Sequence, residues 1–289
     1  MPTLNRRHAL LAAAGAAAPL GAAAAPRRAR DIAEGLKPYA CNLDTWFRNL
    51  PFAQRFAEAR KANFTVIEFW RADRPDGLDA AGIRKLCDDN GLTVTQFAPV
   101  WPEFGDPGTH PALLKTTERA IADARILGCT RFTVTGHHDI NDMTREAMLA
   151  SYQSGLMRMA PLLAAAAMTA LVEPFNRVNH IGHFLNGSQP AVPMIRAVNS
   201  PRVKILWDFY HMQLEDGDLI EKFTAAAGDC AAYVQIGDVP GRHQPGTGEV
   251  NHANLIRAVR AAGYKDVIGL EFMPLDDNVP AAVEAVLSM

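Results

Sequence analysis

Eight short apolar runs, each separated from the next by a helical stretch, constrain this 289-residue chain more than any other feature. They read "YACNL" (39 to 43), "FTVIEF" (64 to 69), "LTVTQF" (92 to 97), "RFTVTG" (131 to 136), "TALVEP" (169 to 174), "VKILWD" (203 to 208), "AAYVQIGD" (231 to 238) and "VIGLEF" (267 to 272). Near-continuous apolar runs of this length suit parallel strands, whose two faces are both covered by packing. The stretches between them, such as "PFAQRFAEARKA", "DAAGIRKLCDDN", "HPALLKTTERAIADARILG" and "NHANLIRAVRAAG", carry apolar residues three and four apart. Gly91, Gly128 and Gly263 stand shortly before a strand, where a helix end calls for a left-handed residue. This alternation predicts an α/β fold, a single (β/α)8 TIM barrel. A doubly wound open sheet competes, but no G-x-G-x-x-G follows the first strand. With no Pro/Ser-rich linker to divide it, the chain reads as one barrel over residues 31–289.

Residues 1–30 read differently. Arg6 and Arg7 precede an alanine-rich apolar run with small residues suited to cleavage near Ala25, the pattern of a twin-arginine export signal followed by a short linker. That predicts a periplasmic protein with no stable membrane insertion once the signal is cut. Cys41, Cys87, Cys129 and Cys230 are scattered and form no C-x-x-C, which argues against thiolate metal knuckles and thioredoxin chemistry. Export would permit disulfides, whereas a domain of this size also accommodates buried free thiols. A formal net charge of -2 with interspersed signs offers no basic face for nucleic acid. The expected partner is a small molecule, a hydroxy-keto acid or sugar, and self-association into a homo-oligomer is compatible with the sequence.

In a barrel the C-terminal strand ends share one face, so residues distant in sequence converge there. The fifth strand ends in Glu173, the sixth in Asp208, the seventh carries Gln235 and the eighth ends in Glu271. Four oxygen-bearing side chains embedded in apolar runs are costly unless partnered, and a divalent cation removes that cost. Oxygen donors without thiolate favour Mg2+ or Mn2+ over Zn2+. His211 follows Asp208 by three residues, where the chain leaves the strand, and is placed to contact substrate oxygens. The loop "DVPGRHQPGTGEV" (238 to 250) has three glycines and two prolines, so it is a shaped loop rather than a helix. Its Arg242 is the candidate for gripping an anionic group, since guanidinium offers a two-pronged donor set.

With these residues in place the chain resembles the sugar isomerase/epimerase superfamily of xylose-isomerase-like barrels, and within it the hydroxypyruvate isomerases. The resemblance is carried by "VEPFN" (172 to 176), "GHFLN" (182 to 186), "WDFYHMQ" (207 to 213), "YVQIGDVPGRHQPGTGEVN" (233 to 251) and "GLEFMP" (269 to 274). The first half agrees mainly in barrel rhythm and in a strand-end Glu68. The resemblance implies that Glu173, Asp208, Gln235 and Glu271 bind the metal and that Glu173 and Glu271 form a catalytic acid/base pair, with His211 and Arg242 facing substrate. It further implies interconversion of an α-hydroxy carbonyl compound with its isomer through a cis-enediolate, as from hydroxypyruvate to tartronate semialdehyde. Epimerisation of a ketose at C3 by the same pair is the near alternative, and an exported sugar-binding barrel without turnover is one of another class. Abasic-site endonucleases of the superfamily need more histidine ligands and a basic groove. Two departures stand out: Gln244 where the family usually reads Glu, and Met273 where it usually reads Lys.

Overall fold

The computed structural model describes residues 28–289. The export signal read from the sequence, with its cut near Ala25, lies outside the described residues. Eight strands form where the apolar runs predict them: β1 (Tyr39–Asn42), β2 (Val66–Phe69), β3 (Thr93–Phe97), β4 (Arg131–Val134), β5 (Thr169–Val172), β6 (Val203–Asp208), β7 (Ala231–Ile236) and β8 (Ile268–Leu270). The helices are α1 (Ala29–Leu36), α2 (Phe52–Lys61), α3 (Ala80–Asn90), α4 (His110–Leu127), α5 (Arg145–Ala166), α6 (Ser188–Val198), α7 (Phe209–Glu215), α8 (Leu219–Ala227), α9 (His252–Ala261) and α10 (Val279–Leu287). Gly91 and Gly128 close α3 and α4 in left-handed backbone, while Gly263 follows the last turn of α9. Among the described residues no helix is long and apolar enough to cross a membrane.

All ladders are parallel, in the order β3-β2-β1-β8-β7-β6-β5-β4. No ladder joins β3 to β4, so the barrel closes there through side chains. Arg131 donates from Nε to the Thr95 carbonyl at 3.1 Å and from Nη2 to its hydroxyl at 2.6 Å, and the Thr133 hydroxyl donates to Gln96 at 2.8 Å.

Most of the apolar core lies between strands and helices, with Phe56, Phe64, Phe69, Phe97, Phe132 and Trp207 fully buried. Each such aromatic contributes roughly 1.5–3 kcal/mol from burial. Leu171, Leu206 and Tyr233 form a separate small cluster. They sit two residues before Glu173, Asp208 and Gln235, so strand alternation points both sets into the barrel. Register places Asn42 beside Glu68, Glu68 beside Gln96, Asp208 beside Gln235 and Gln235 beside Gly269. One level of the barrel interior is therefore polar, above an apolar floor.

The four cysteines are buried free thiols, and burial pushes Cys87 up to about 11 and Cys129 up to about 12.

Candidate active site

The polar level is built around Glu68. It accepts hydrogen bonds from Asn42 (3.2 Å), Gln96 (3.1 Å), Tyr233 (2.6 Å) and the Gln235 amide nitrogen (2.8 Å). Burial pushes its carboxyl above the usual range, and these four bonds pull it back. Gly269 on the neighbouring strand makes room, because a Cβ there would stand 2.6 Å from Glu68 Oε1 and 2.7 Å from Gln235 Cγ. With its nitrogen committed to Glu68, Gln235 is left with a buried Oε1 that has no hydrogen-bond partner. An orphaned buried acceptor is costly. An oxygen-seeking cation fits it, and so does the expectation that Gln235 is a ligand.

Glu173, Asp208 and Glu271 are all buried beside it. The Arg242 guanidinium lies among them: Nη2 donates to Asp208 Oδ2 and stands 3.1 Å from Glu271 Oε1, while Nε donates to the Glu271 carbonyl at 3.0 Å. Burial, followed by the charges of Glu271 and Asp208, raises Glu173 well above the usual carboxylate range. Burial raises Glu271 to about 8 against the opposing pull of Arg242, with Asp208 and Glu68 adding to the rise. Burial works against the charge of Arg242 as well, but Glu271, Asp208 and Glu173 together outweigh it. Three buried carboxylates thus face one guanidinium, which contacts two of them, Asp208 and Glu271, and a divalent cation would correct the charge deficit.

His211 belongs to the same group; single ligand atoms of Glu173, Asp208 and His211 all lie within 4.8 Å of one another. Its position comes from an element the sequence reading missed. Asp208 caps a short helix by accepting from Tyr210 N at 2.9 Å, so α7 begins where a loop was expected and turns His211 back toward Asp208. The hydrogen bonds of Asn176 settle the tautomer. Its Oδ1 accepts from Val178 N (3.0 Å) and Asn179 N (2.8 Å), so its Nδ2 must be the atom that donates to His211 Nδ1 at 2.6 Å. Burial, then the charge of Arg242, holds the imidazole neutral by lowering its pKa well below the ordinary value. Nε2 therefore carries hydrogen, at 3.6 Å from Glu173 and 3.5 Å from Asp208. A protonated ring nitrogen is a donor for an oxygen rather than a lone pair for a metal. His211 therefore presents an N–H donor at the cavity lining.

The loop carrying Arg242 is wrapped around Asp238, whose importance was not read from the sequence. This buried carboxylate accepts from the backbone nitrogens of Val239 (2.9 Å), Val250 (3.1 Å), Gly246 (2.9 Å) and Gly248 (2.8 Å). Gly248 is required, since a Cβ would lie 2.1 Å from the Val239 carbonyl oxygen. Gln244 accepts from Leu275 N at 2.9 Å, tying this loop to the chain after β8. Met273 takes a contact from Arg48 Nη1 at 2.7 Å, so a cation lies against that position from another element.

Above the carboxylates opens a cavity of about 460 Å3. Glu173, Glu271, His211 and Arg242 line it, whereas Asp208 and Gln235 are buried and are not part of its lining. Trp70 donates to Glu271 Oε1 at 3.1 Å and is held by Asp44, which accepts from its backbone nitrogen at 2.7 Å and pairs with Arg74 at 2.9 Å. Trp101 and His138 line the cavity. Trp46 is core instead, donating to the Leu270 carbonyl at 3.0 Å, and His137 is buried against the Glu173 carbonyl at 3.0 Å.

An α/β barrel whose buried carboxylates meet at the strand ends defines a class, and comparison with known proteins assigns it. The family described as xylose isomerase-like TIM barrel matches residues 56–289, and the chain belongs to it. It is 31% identical over 244 residues to 2-oxo-tetronate isomerase of Cupriavidus necator, covering 82% of this chain and 92% of that one. It is 29% identical to hydroxypyruvate isomerase of Escherichia coli, covering 82% and 93%. A crystal structure titled AP endonuclease, family 2, from Brucella melitensis superposes with a TM-score of 0.75 at 30% identity, covering 82% and 93%. The chain is accordingly an enzyme of the isomerase class, of the sugar isomerase/epimerase kind.

Proposed function

We propose that the protein interconverts an α-hydroxy carbonyl compound with its isomer through a cis-enediolate, with hydroxypyruvate, which would give tartronate semialdehyde, as the simplest substrate. The observation that carries this reading is the pair Glu173 and Glu271. Both carboxylates are buried at the ends of two strands and line one cavity with Arg242, which contacts Glu271 directly and acts on Glu173 through its charge, and in the metal-free protein burial raises the pKa of both. A carboxyl whose pKa is raised toward the working pH can take a proton from carbon and return it. Glu173 and Glu271 would act as that base and acid. The N–H of His211 would hold a substrate oxygen between them, and Arg242 would hold developing negative charge. Glu173, Asp208, Gln235 and Glu271 would hold a divalent cation, Mg2+ or Mn2+, which supplies Lewis-acid polarisation of the carbonyl when bound.

The test is conversion of hydroxypyruvate with added Mg2+ or Mn2+ by the wild type and by Glu173→Gln and Glu271→Gln. Loss in both variants supports the pair, and full turnover in either removes it. Epimerisation of a ketose at C3 would use the same pair, and the cavity of about 460 Å3 has room for a sugar. Solvent deuterium appearing at C3 of a ketose without aldose formation would favour that reaction. Export to the periplasm is proposed from Arg6, Arg7 and the run ending near Ala25; N-terminal sequencing of the protein recovered from cell fractions decides it.

A further inference from the structure

The cavity wall beyond the carboxylates carries histidines whose tautomers are fixed by their neighbours. His137 Nε2 faces the carbonyl oxygen of Glu173 at 3.0 Å, so Nε2 holds the hydrogen and Nδ1 the lone pair. His183 Nδ1 lies 3.2 Å from that lone pair and therefore donates to it. This leaves His183 with an accepting Nε2. His138 Nδ1 meets Glu103 Oε1 at 2.8 Å, while the His138 backbone nitrogen donates to Glu103 Oε2 at 2.7 Å. Among the described residues neither His138 Nε2 nor His183 Nε2 has a hydrogen-bond partner. The two rings are tilted by 37° with centroids 3.8 Å apart, and both residues line the cavity. The same cavity has apolar lining in Pro99, Val100 and Trp101.

Ring nitrogens that accept, set beside an apolar surface, suit a carbon chain bearing hydroxyls: each O–H has an acceptor, and the C–H groups have a surface to pack on. A carboxylate has no hydrogen to give such a wall. We propose that His138 and His183 are specificity-determining residues that accept hydrogen bonds from a hydroxyl beyond the reacting carbons, so that α-hydroxy carbonyl compounds of four carbons or more are preferred over hydroxypyruvate. Glu103 is a positioning residue that orients His138. This rests on the isomerase reading above and extends it to substrate length. Space agrees: at the roughly 30 Å3 a water claims in liquid, the seven non-hydrogen atoms of hydroxypyruvate occupy about 210 Å3. That is less than half of the cavity of about 460 Å3.

The test compares kcat/KM, with Mg2+ present, for 2-oxo-tetronate and its 4-deoxy analogue 3-hydroxy-2-oxobutanoate. The wild type should prefer the hydroxylated compound about tenfold or more, as one hydrogen bond to a substrate hydroxyl predicts. In His138→Ala and the His138→Ala/His183→Ala double variant the preference should shrink toward one, chiefly through KM; the single variant decides if the double variant does not fold. Glu103→Ala should reproduce part of the loss, and Glu103→Gln, which keeps an acceptor for Nδ1 but sets its amide N–H against the His138 backbone nitrogen, should restore only part of it. Equal kcat/KM for the two compounds in the wild type, or a ratio untouched by these changes, overturns the proposal. If the wild type turns over neither compound, the isomerase reading fails separately. The histidine wall is then judged by calorimetric binding of D-erythronate against 2,3-dihydroxybutanoate: a tenfold difference lost in His138→Ala upholds it, and equal affinities overturn it.

Discussion

Gln235 donates its amide nitrogen to Glu68 Oε1 across 2.8 Å, and this one bond decides which end of the amide faces the strand-end carboxylates. Glu68 thus acts on the proposed cation without touching it, as a partner that orients a ligand. Replacing Glu68 by Gln puts an amide where four donors converge and frees Gln235 to flip. Mn2+ affinity, read by electron paramagnetic titration, should fall by about 10–100-fold. Unchanged affinity would show that Gln235 is not a ligand.

Glu173→Gln and Glu271→Gln keep the size of each side chain while removing its ability to take a proton. Isomerisation should drop by roughly 10²–10⁴-fold in each, the range for a lost acid or base. Near-UV circular dichroism should stay that of the wild type. A variant losing both activity and near-UV signal would mark the residue as structural instead.

Stability should depend on pH with a definite sign when metal is removed. Burial holds Glu271 at about 8, against an ordinary 4.5. The folded state therefore keeps a proton that the unfolded chain has lost between those values. Unfolding free energy falls as pH rises through that window, by up to about 1.4 kcal/mol per pH unit for each such proton. Urea midpoints measured in EDTA from pH 5 to 8 should decline. Excess Mn2+, which favours the ionised carboxylates, should flatten or reverse the trend. A midpoint that rises with pH in EDTA would contradict the charge assignment.

The strand ends were legible because each polar residue interrupts an apolar run: Glu173 and Asp208 come together with His211, Gln235 pairs in register with Asp208, and Glu271 joins them through Arg242. The supporting contacts were not. Asn42, Gln96 and Tyr233 meet Glu68 only through the register of separate strands, and single strands carry no record of register. The helix at Phe209 was missed for a local reason. Asp208 serves as strand end and helix cap at once, so no loop residues announce the change. Strand lengths were overread at β2 and β8, where Phe64 and Glu271 are buried outside the ladders.

Asp238 offers a test of how far the loop governs the site. Asp238→Ala leaves four backbone donors without their acceptor, so the loop should lose several kcal/mol of local stability. Hydrogen exchange at Gly246, Gly248 and Val250 should accelerate by orders of magnitude, and activity should fall with it because Arg242 rides on this loop. Protection unchanged from the wild type would mean that the rest of the barrel holds the loop in place.

The joint between β3 and β4 has a consequence for how such barrels diversify. Elsewhere around the barrel, peptide groups set the distance between neighbours, and no substitution changes that spacing. Here the spacing is written in Arg131, Thr95, Gln96 and Thr133, whose side chains mutation can lengthen or shorten. Glu103 and His138 follow the two strands that flank the gap, while the carboxylates stand at the end of β6 and just past β5 and β8. A lineage could therefore retune the width of its tail pocket at one joint and inherit its chemistry unaltered from the other side of the ring.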